Sequence, residues 1–278
     1  MTSVDQLNVE NIVKKSGSSF YWGMKLLPEI KKRAMFSVYA FCRVVDDIAD
    51  NSGTTKSKKT KLNDWKKKID SIYNNNKKNE SILKELKTSI ETFNLEKRDF
   101  ISIIDGMLMD VKKKIQFPSK TEFELYCERV AVAVGYLSIK IFGLSGYEGK
   151  KYAYSLGMAF QLTNIVRDFR EDLDIGRCYI PRSKLKKYGI KGSLSNLDKT
   201  NKIQDVLQDI LKDADKFFKK ADKISKNLDK KKIIASELMK QFYKKIHKKM
   251  FNKNIDIEKK VRLNFFDKTF ILINFIFR

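Results

Sequence analysis

Two stretches of this chain carry acidic residues where an apolar helix would ordinarily have none. In 35–50 (MFSVYAFCRVVDDIAD), Tyr39, Arg43, Asp46 and Asp50 recur at spacings of four, three and four, which at 3.6 residues per turn brings them to one side of a helix. In 152–172 (YAYSLGMAFQLTNIVRDFRED), Gln161, Asn164, Asp168 and Asp172 recur at three, four and four. A carboxylate in apolar surroundings is costly unless it is paired or bound to a cation, and two Asp at i and i+4 lie about 6 Å apart along the axis and repel one another. Each pair therefore calls for a divalent ion. Hard oxygen donors without His or Cys select Mg²⁺, with Mn²⁺ as a substitute, and Mg²⁺ held by few carboxylates shares its shell with substrate phosphate. Arg43 and Arg167 would grip the same phosphate oxygens. The plainer alternative is a set of helix carboxylates bridged by arginine, Asp46 by Arg43 and Asp168 by Arg167. Two such pairs on two apolar helices weigh against it, and the pattern fits a diphosphate leaving group.

The elements that must hold these residues are helices. With 278 residues and 42% hydrophobic content the chain can fill a sizeable core, while 12 Gly and 3 Pro are too few for the turns of a many-stranded β architecture. The periodicity predicts helices from Phe20, over 29–50 after Pro28, and over 60–75, 79–92, 96–113, 121–143, 147–172, 199–227 and 231–249. Residues 1–19 read as an irregular lead-in, 51–59 as a polar loop, and Thr121 as an N-cap. No repeat or linker divides the chain, so one all-α domain over 1–278 is expected. One histidine (His247) and three isolated cysteines (Cys42, Cys127, Cys178) exclude zinc ribbons and most His-dependent triads. Unpaired cysteines and the lack of an apolar signal over 1–15 predict a cytoplasmic location. A net charge of +24 raises the question of an anionic partner. Its lysines are spread along many helices without a recognisable binding module, so nucleic acid is not expected.

Three segments carry a family resemblance: 18–50 (SSFYWGMKLLPEIKKRAMFSVYAFCRVVDDIAD), 126–135 (YCERVAVAVG) and 161–181 (QLTNIVRDFREDLDIGRCYIP). In order and separation they resemble the hallmark blocks of the squalene and phytoene synthase family, over roughly residues 16–250. The resemblance implies a single-domain type I isoprenoid synthase helical bundle with a central cavity, in which two allylic prenyl diphosphates are joined head to head through a cyclopropyl intermediate. It makes Asp46, Asp50, Asp168 and Asp172 the Mg²⁺ carboxylates, supported by Asn164. Arg43, Gln161, Arg167 and Tyr243, with Ser19 at the cavity mouth, are similar to positions that contact diphosphate, and Phe20 and Tyr39 to aromatics near the reacting carbons. Tyr126 matches a tyrosine proposed to assist proton loss, with diphosphate as the rival base and ordinary core packing as the other reading.

The opening block most resembles bacterial members of the squalene and hopanoid route that join two farnesyl diphosphates and stop at presqualene diphosphate. NADPH is then not expected, and a separate squalene-forming reductase would act downstream. A phytoene synthase joining two geranylgeranyl diphosphates, a complete squalene synthase and an inactive assembly factor are the alternatives. Apolar residues Val130, Ala133, Val134, Leu137, Leu156, Gly157 and Phe160 are expected to line a dry pocket or to pack as plain core, and Gly135 and Gly157 to mark a close approach of chain or substrate. The tail 261–278 (VRLNFFDKTFILINFIFR) is apolar but too short to span a bilayer. It is expected either to pack on the bundle or to act as a peripheral anchor on the inner face of the cell membrane, with Phe265, Phe266, Phe270, Ile271, Phe275 and Phe277 in the interface and Lys259, Lys260 and Lys268 at anionic headgroups.

Overall fold

Fifteen α-helices form among the described residues of the computed structural model, which are 3–18, 20–74, 80–113, 115–198, 200, 202–251 and 257–276. The lead-in is itself a helix, α1 (Val4–Lys15). Ser3 accepts from the Gln6 backbone while the Gln6 side chain returns to the Ser3 N–H, and Val9 and Val13, four apart, bury its inner face. After α2 (Phe20–Lys25), α3 (Glu29–Asp50) runs from Pro28 to Asn51 as the periodicity requires. The next helix, α4 (Thr55–Tyr73), starts inside the expected polar loop because Thr54 caps it, accepting from the Ser57 N–H. α5 (Ser81–Phe93) and α6 (Lys97–Lys113) follow. Ser119, rather than Thr121, caps α7 (Lys120–Cys127) through a reciprocal bond with Glu122.

The expected single helix over 121–143 is interrupted by a π-helical turn, Glu128–Val132, before α8 (Ala133–Phe142). The extra residue in a π turn shifts the helical phase. Val130, Ala131, Val134, Gly135 and Ser138 thus face a central cavity, whereas Ala133 and Leu137 take the other of the two expected roles and pack as plain core. The predicted helix over 147–172 is likewise two helices, α9 (Gly146–Arg167) and α10 (Phe169–Asp174), with Asp168 between them at φ −98° and ψ 7°. Hydrogen bonds Asp168 N–H to Asn164 O and Asp172 N–H to Asp168 O carry the i, i+4 register across the break, so the acidic stripe survives it. α11 (Arg182–Lys187), α12 (Leu194–Leu197), α13 (Ile203–Ser225), α14 (Lys230–Phe251) and α15 (Phe265–Ile276) complete the chain. No β-strand forms among the described residues; one isolated bridge joins Gln116 to Cys178.

Two apolar cores flank the cavity. Phe41 of α3, Trp65 of α4 and Phe100 of α6 pack edge to face in one, with α1, α5 and α8 around them. Tyr152 of α9, Phe218 of α13 and Phe242 of α14 are buried in the other. His247 belongs to this second core, where a ring nitrogen bonds the Leu211 carbonyl at 2.9 Å. Gly157 of α9 lies against the π turn: a Cβ there would stand 3.1 Å from Val132 Cα and 3.2 Å from Val132 N, backbone that cannot rotate away. Gly157→Ala should therefore destabilise the protein by about 1–3 kcal/mol, as overpacking does. Circular-dichroism melting would register a fall of several degrees; an unchanged or raised midpoint would show that the two helices part at no cost.

Candidate active site

The cavity between the cores measures about 740 Å³. Phe20, Tyr39, Arg43, Asp46, Asp50, Tyr126, Gln161, Asn164, Arg167, Asp168, Asp172 and Tyr243 all line it, so α2, α3, α7, α9, α10 and α14 bring these sequence-selected residues together. Ser19 lies outside the described residues. One end of the cavity is acidic and basic. The rest is apolar, walled by Val38, Met107, Val134, Leu156 and Met239.

At the charged end both expected arginine bridges form. Arg43 donates to Asp46 at 3.2 Å and also pairs with Asp47. Arg167 holds Asp168 bidentately, at 2.8 and 2.7 Å. These pairs do not neutralise the cluster. Burial, reinforced by the neighbouring Asp50, pushes the Asp46 carboxyl up to about 7, and burial with Asp168 beside it pushes Asp172 up to about 8. Burial opposes ionisation of Asp168 as well, but Arg167 and Lys260 outweigh it and hold that carboxyl below its ordinary range.

Sequence reasoning missed four members of the site. Arg177 donates to Asp50 at 2.6 Å and to the Ala49 carbonyl at 3.1 Å, tying the loop after α10 to the end of α3. Asp110 of α6 accepts from the Tyr126 hydroxyl at 3.1 Å and the Tyr179 hydroxyl at 2.8 Å, beneath a stacked Tyr126–Tyr179 pair with centroids 4.7 Å apart. Burial lifts its carboxyl to about 6 against the pull of Arg177. Lys260, from the segment before α15, reaches back to Asp168 at 3.0 Å and to Glu171. Acids in the apolar run Ile101–Val111 are the same anomaly that marks α3, so Asp110 had a readable signal, shared with Asp105, which pairs with Lys66 instead. Lys260, expected at lipid headgroups beside the tail, sits instead at the charged end of the cavity, where no local signal placed it.

The aromatic residues form one wall. Phe20 lies 6.0 Å from Tyr39 and 5.8 Å from Tyr243 between ring centroids, and Phe160 stacks on Tyr243 at 4.0 Å. Electron-rich ring faces beside an apolar chamber suit a developing cation. Burial, with Asp110 close by, pushes the Tyr126 phenol well above its ordinary value, so it stays protonated with its proton directed at Asp110.

A divalent ion fits this donor set. Among the described residues no three His, Cys, Asp or Glu side chains converge on one point, so the protein alone offers no closed cage. It offers two separate carboxylate pairs instead. Beside the second, Asn164 Oδ1 is buried with no hydrogen-bond partner, an oxygen ligand left over in the one place where a cation would use it. Few protein oxygens with room for water and phosphate is the arrangement Mg²⁺ favours.

Residues 13–266 match the squalene/phytoene synthase family. The chain is 40% identical over 234 residues to a presqualene diphosphate synthase of Zymomonas mobilis, covering 84% of this chain and 80% of that one. It is 44% identical over 181 residues to a presqualene diphosphate synthase of Sinorhizobium fredii, covering 64% of this chain and 63% of the relative. A crystal structure of a dehydrosqualene synthase superposes with a TM-score of 0.83 at 23% identity, over 98% of this chain and 95% of the other, which is a likeness of fold. With both acidic stripes on one cavity and the family match running through nearly all of the chain, the protein belongs to the squalene/phytoene synthase family.

Proposed function

We propose that the protein, as one catalytic domain over 1–278, joins two farnesyl diphosphates head to head to form presqualene diphosphate, releasing diphosphate, in squalene and hopanoid biosynthesis. The observation that carries the reading is the juxtaposition of two carboxylate and arginine stripes at one end of an apolar cavity large enough for prenyl chains. Asp46 and Asp50 would hold Mg²⁺ on one side, and Asp168, Asp172 and Asn164 on the other. Bound there, the metal would neutralise the diphosphate and favour its departure.

The residues of the chain supply the rest. Arg43, Arg167, Gln161, Tyr243 and Lys260 would hold diphosphate oxygens, with charge-assisted bonds from the cations. Phe20 and Tyr39 present ring faces to the allylic cation. Val134, Leu156 and Met239 keep water from it. Because the Tyr126 proton is directed at Asp110, the hydroxyl offers the cavity a lone pair, and a proton taken up there as the cyclopropane closes would send the phenol's own proton to the Asp110 carboxylate. Diphosphate remains the competing base. The reading includes a cytoplasmic enzyme docked on the inner face of the cell membrane and a separate reductase consuming its product.

Incubation of the purified protein with the C15 or the C20 diphosphate, with Mg²⁺ or a chelator and with or without NADPH, tests this by mass identification of products. Presqualene diphosphate from the C15 substrate, lost on chelation and unaltered by NADPH, is expected. Efficient phytoene formation from the C20 substrate, or squalene on adding NADPH, would replace the reading by a phytoene synthase or a complete squalene synthase.

A further inference from the structure

The helix α15 is apolar on two opposite faces. At about 100° per residue, Ile271, Leu272 and Phe275 fall in one arc and Phe266, Phe270 and Ile273 in the opposite one, with Phe265 at the edge between them. The first arc packs on the core that contains α13 and α14. The second arc and Phe265 are open: Phe265 is 76% exposed, Phe266 78%, Phe270 65% and Ile273 50%. The packing expectation for the tail therefore holds for Ile271 and Phe275, which do not belong to an open anchor face; Phe277 lies outside the described residues. At roughly 200 Å² per aromatic side chain the open face amounts to roughly 500 Å², at the upper end of what monomers leave uncovered.

We propose that this face is a docking surface for an anionic lipid bilayer. Charge favours that occupant: residues 244–276 hold nine Lys or Arg against three Asp or Glu. The acid on α15, Asp267, is turned inward and paired with Lys245 and Lys249 of α14. A second copy is disfavoured on two counts. Roughly 500 Å² falls short of the ≈ 800 Å² per partner of a stable interface, and two chains of net charge +24 repel. With 12 residues α15 is about 18 Å long, shorter than the ≈ 30 Å hydrocarbon layer, so it lies in the interface plane with its phenylalanines among the acyl chains. Lys260, at the charged end of the cavity, precedes Phe265 by five residues, at most about 17 Å of chain. Docking would thus set the cavity beside the lipid, which for a product with two long hydrocarbon arms is the natural exit.

That rationale rests on the proposed reaction, but the test does not, because lipid binding is read without substrate. The full chain and its Phe265→Ser/Phe266→Ser/Phe270→Ser variant are sedimented with phosphatidylglycerol–phosphatidylcholine vesicles and with phosphatidylcholine vesicles alone. The expected result is wild-type binding to the anionic vesicles, falling several-fold in about 0.5 M salt and about tenfold or more in the variant. A melting midpoint close to wild type confirms that the variant folds. Phe266→Trp should add a blue shift of its fluorescence on anionic vesicles. Equal binding by wild type and triple variant, no binding by either, no blue shift, or a wild-type dimer in sedimentation velocity that the triple variant dissociates would overturn the proposal, the last by showing a second copy on this face.

Discussion

Replacing Asp50 or Asp172 with Asn should lower turnover by about a thousandfold or more, the scale on which loss of a metal- or charge-stabilising group acts on a departing anion, and should leave stability intact. Asn keeps the shape of Asp and one acceptor oxygen, so at position 50 Arg177 retains its partner. At position 172 the sign is opposite to that of a structural acid. Burial and Asp168 hold this carboxyl up at about 8, so its ionisation costs stability as pH rises from the ordinary 3.8 through that value. An amide escapes the cost, and the melting midpoint near pH 7.5 should be equal or higher. Diphosphate release from farnesyl diphosphate and a thermal melt, run side by side, separate the two effects. Near-normal Mg²⁺-dependent activity in either variant would remove these carboxylates from the mechanism.

The second large effect is expected at Arg177, which acts as a positioning residue. Its guanidinium is buried, holds Asp50 and Ala49, and lowers the charge cost of Asp110. Arg177→Met would leave both carboxylates uncompensated at the junction of α3, α6 and the loop after α10. Orphaning a buried charge costs about 3–5 kcal/mol. Here about 2–3 kcal/mol is expected, because the Asp50 side chain is 44% exposed and Asp110 can take up a proton. The midpoint should fall by roughly 5–10 °C. Turnover should fall about a hundredfold, since misplacing a catalytic group by an ångström has that effect. Arg177→Lys, which restores the charge without the two-pronged geometry, should recover much of the stability and less of the activity. A methionine variant as stable and as active as wild type would reduce Arg177 to a bystander.

What could be read in the sequence was what violated its own surroundings. Asp46, Asp50, Asp168 and Asp172 stand out because they interrupt apolar helices, and that conflict placed α3 and α9 and their inward faces correctly. α1 produced no such conflict: with Val9 and Val13 as its buried hydrophobics, its periodicity is nearly silent and its capping box was the remaining cue. The start of α4 was hidden in a lysine run that resembles a loop until Thr54 is recognised as a cap. The π turn has no compositional mark, and without it the sequence left Ala133 and Leu137 open between cavity wall and plain core. Arg177, Tyr179 and Lys260 were out of reach for another reason. Their importance lies in which distant segments they meet, Asp50 on α3, Asp110 on α6 and Asp168 at the α9–α10 junction, and no local pattern encodes such encounters.

The placing of the cavity along the seam of two cores has a consequence for how the protein can be studied. A prenyl chain seated there would touch α3 and α6 on one side and α9 and α14 on the other, adding contacts between the two cores to those that α8 already makes with α9. Affinity and heat resistance then become two readings of one quantity, since a ligand at a hundred times its dissociation constant adds about 2.7 kcal/mol to the folded state. Thermal shift can rank prenyl chain lengths and inhibitors before any turnover is measured. By the same linkage, substitutions deep in either core, far from every carboxylate, should surface first as weakened substrate binding.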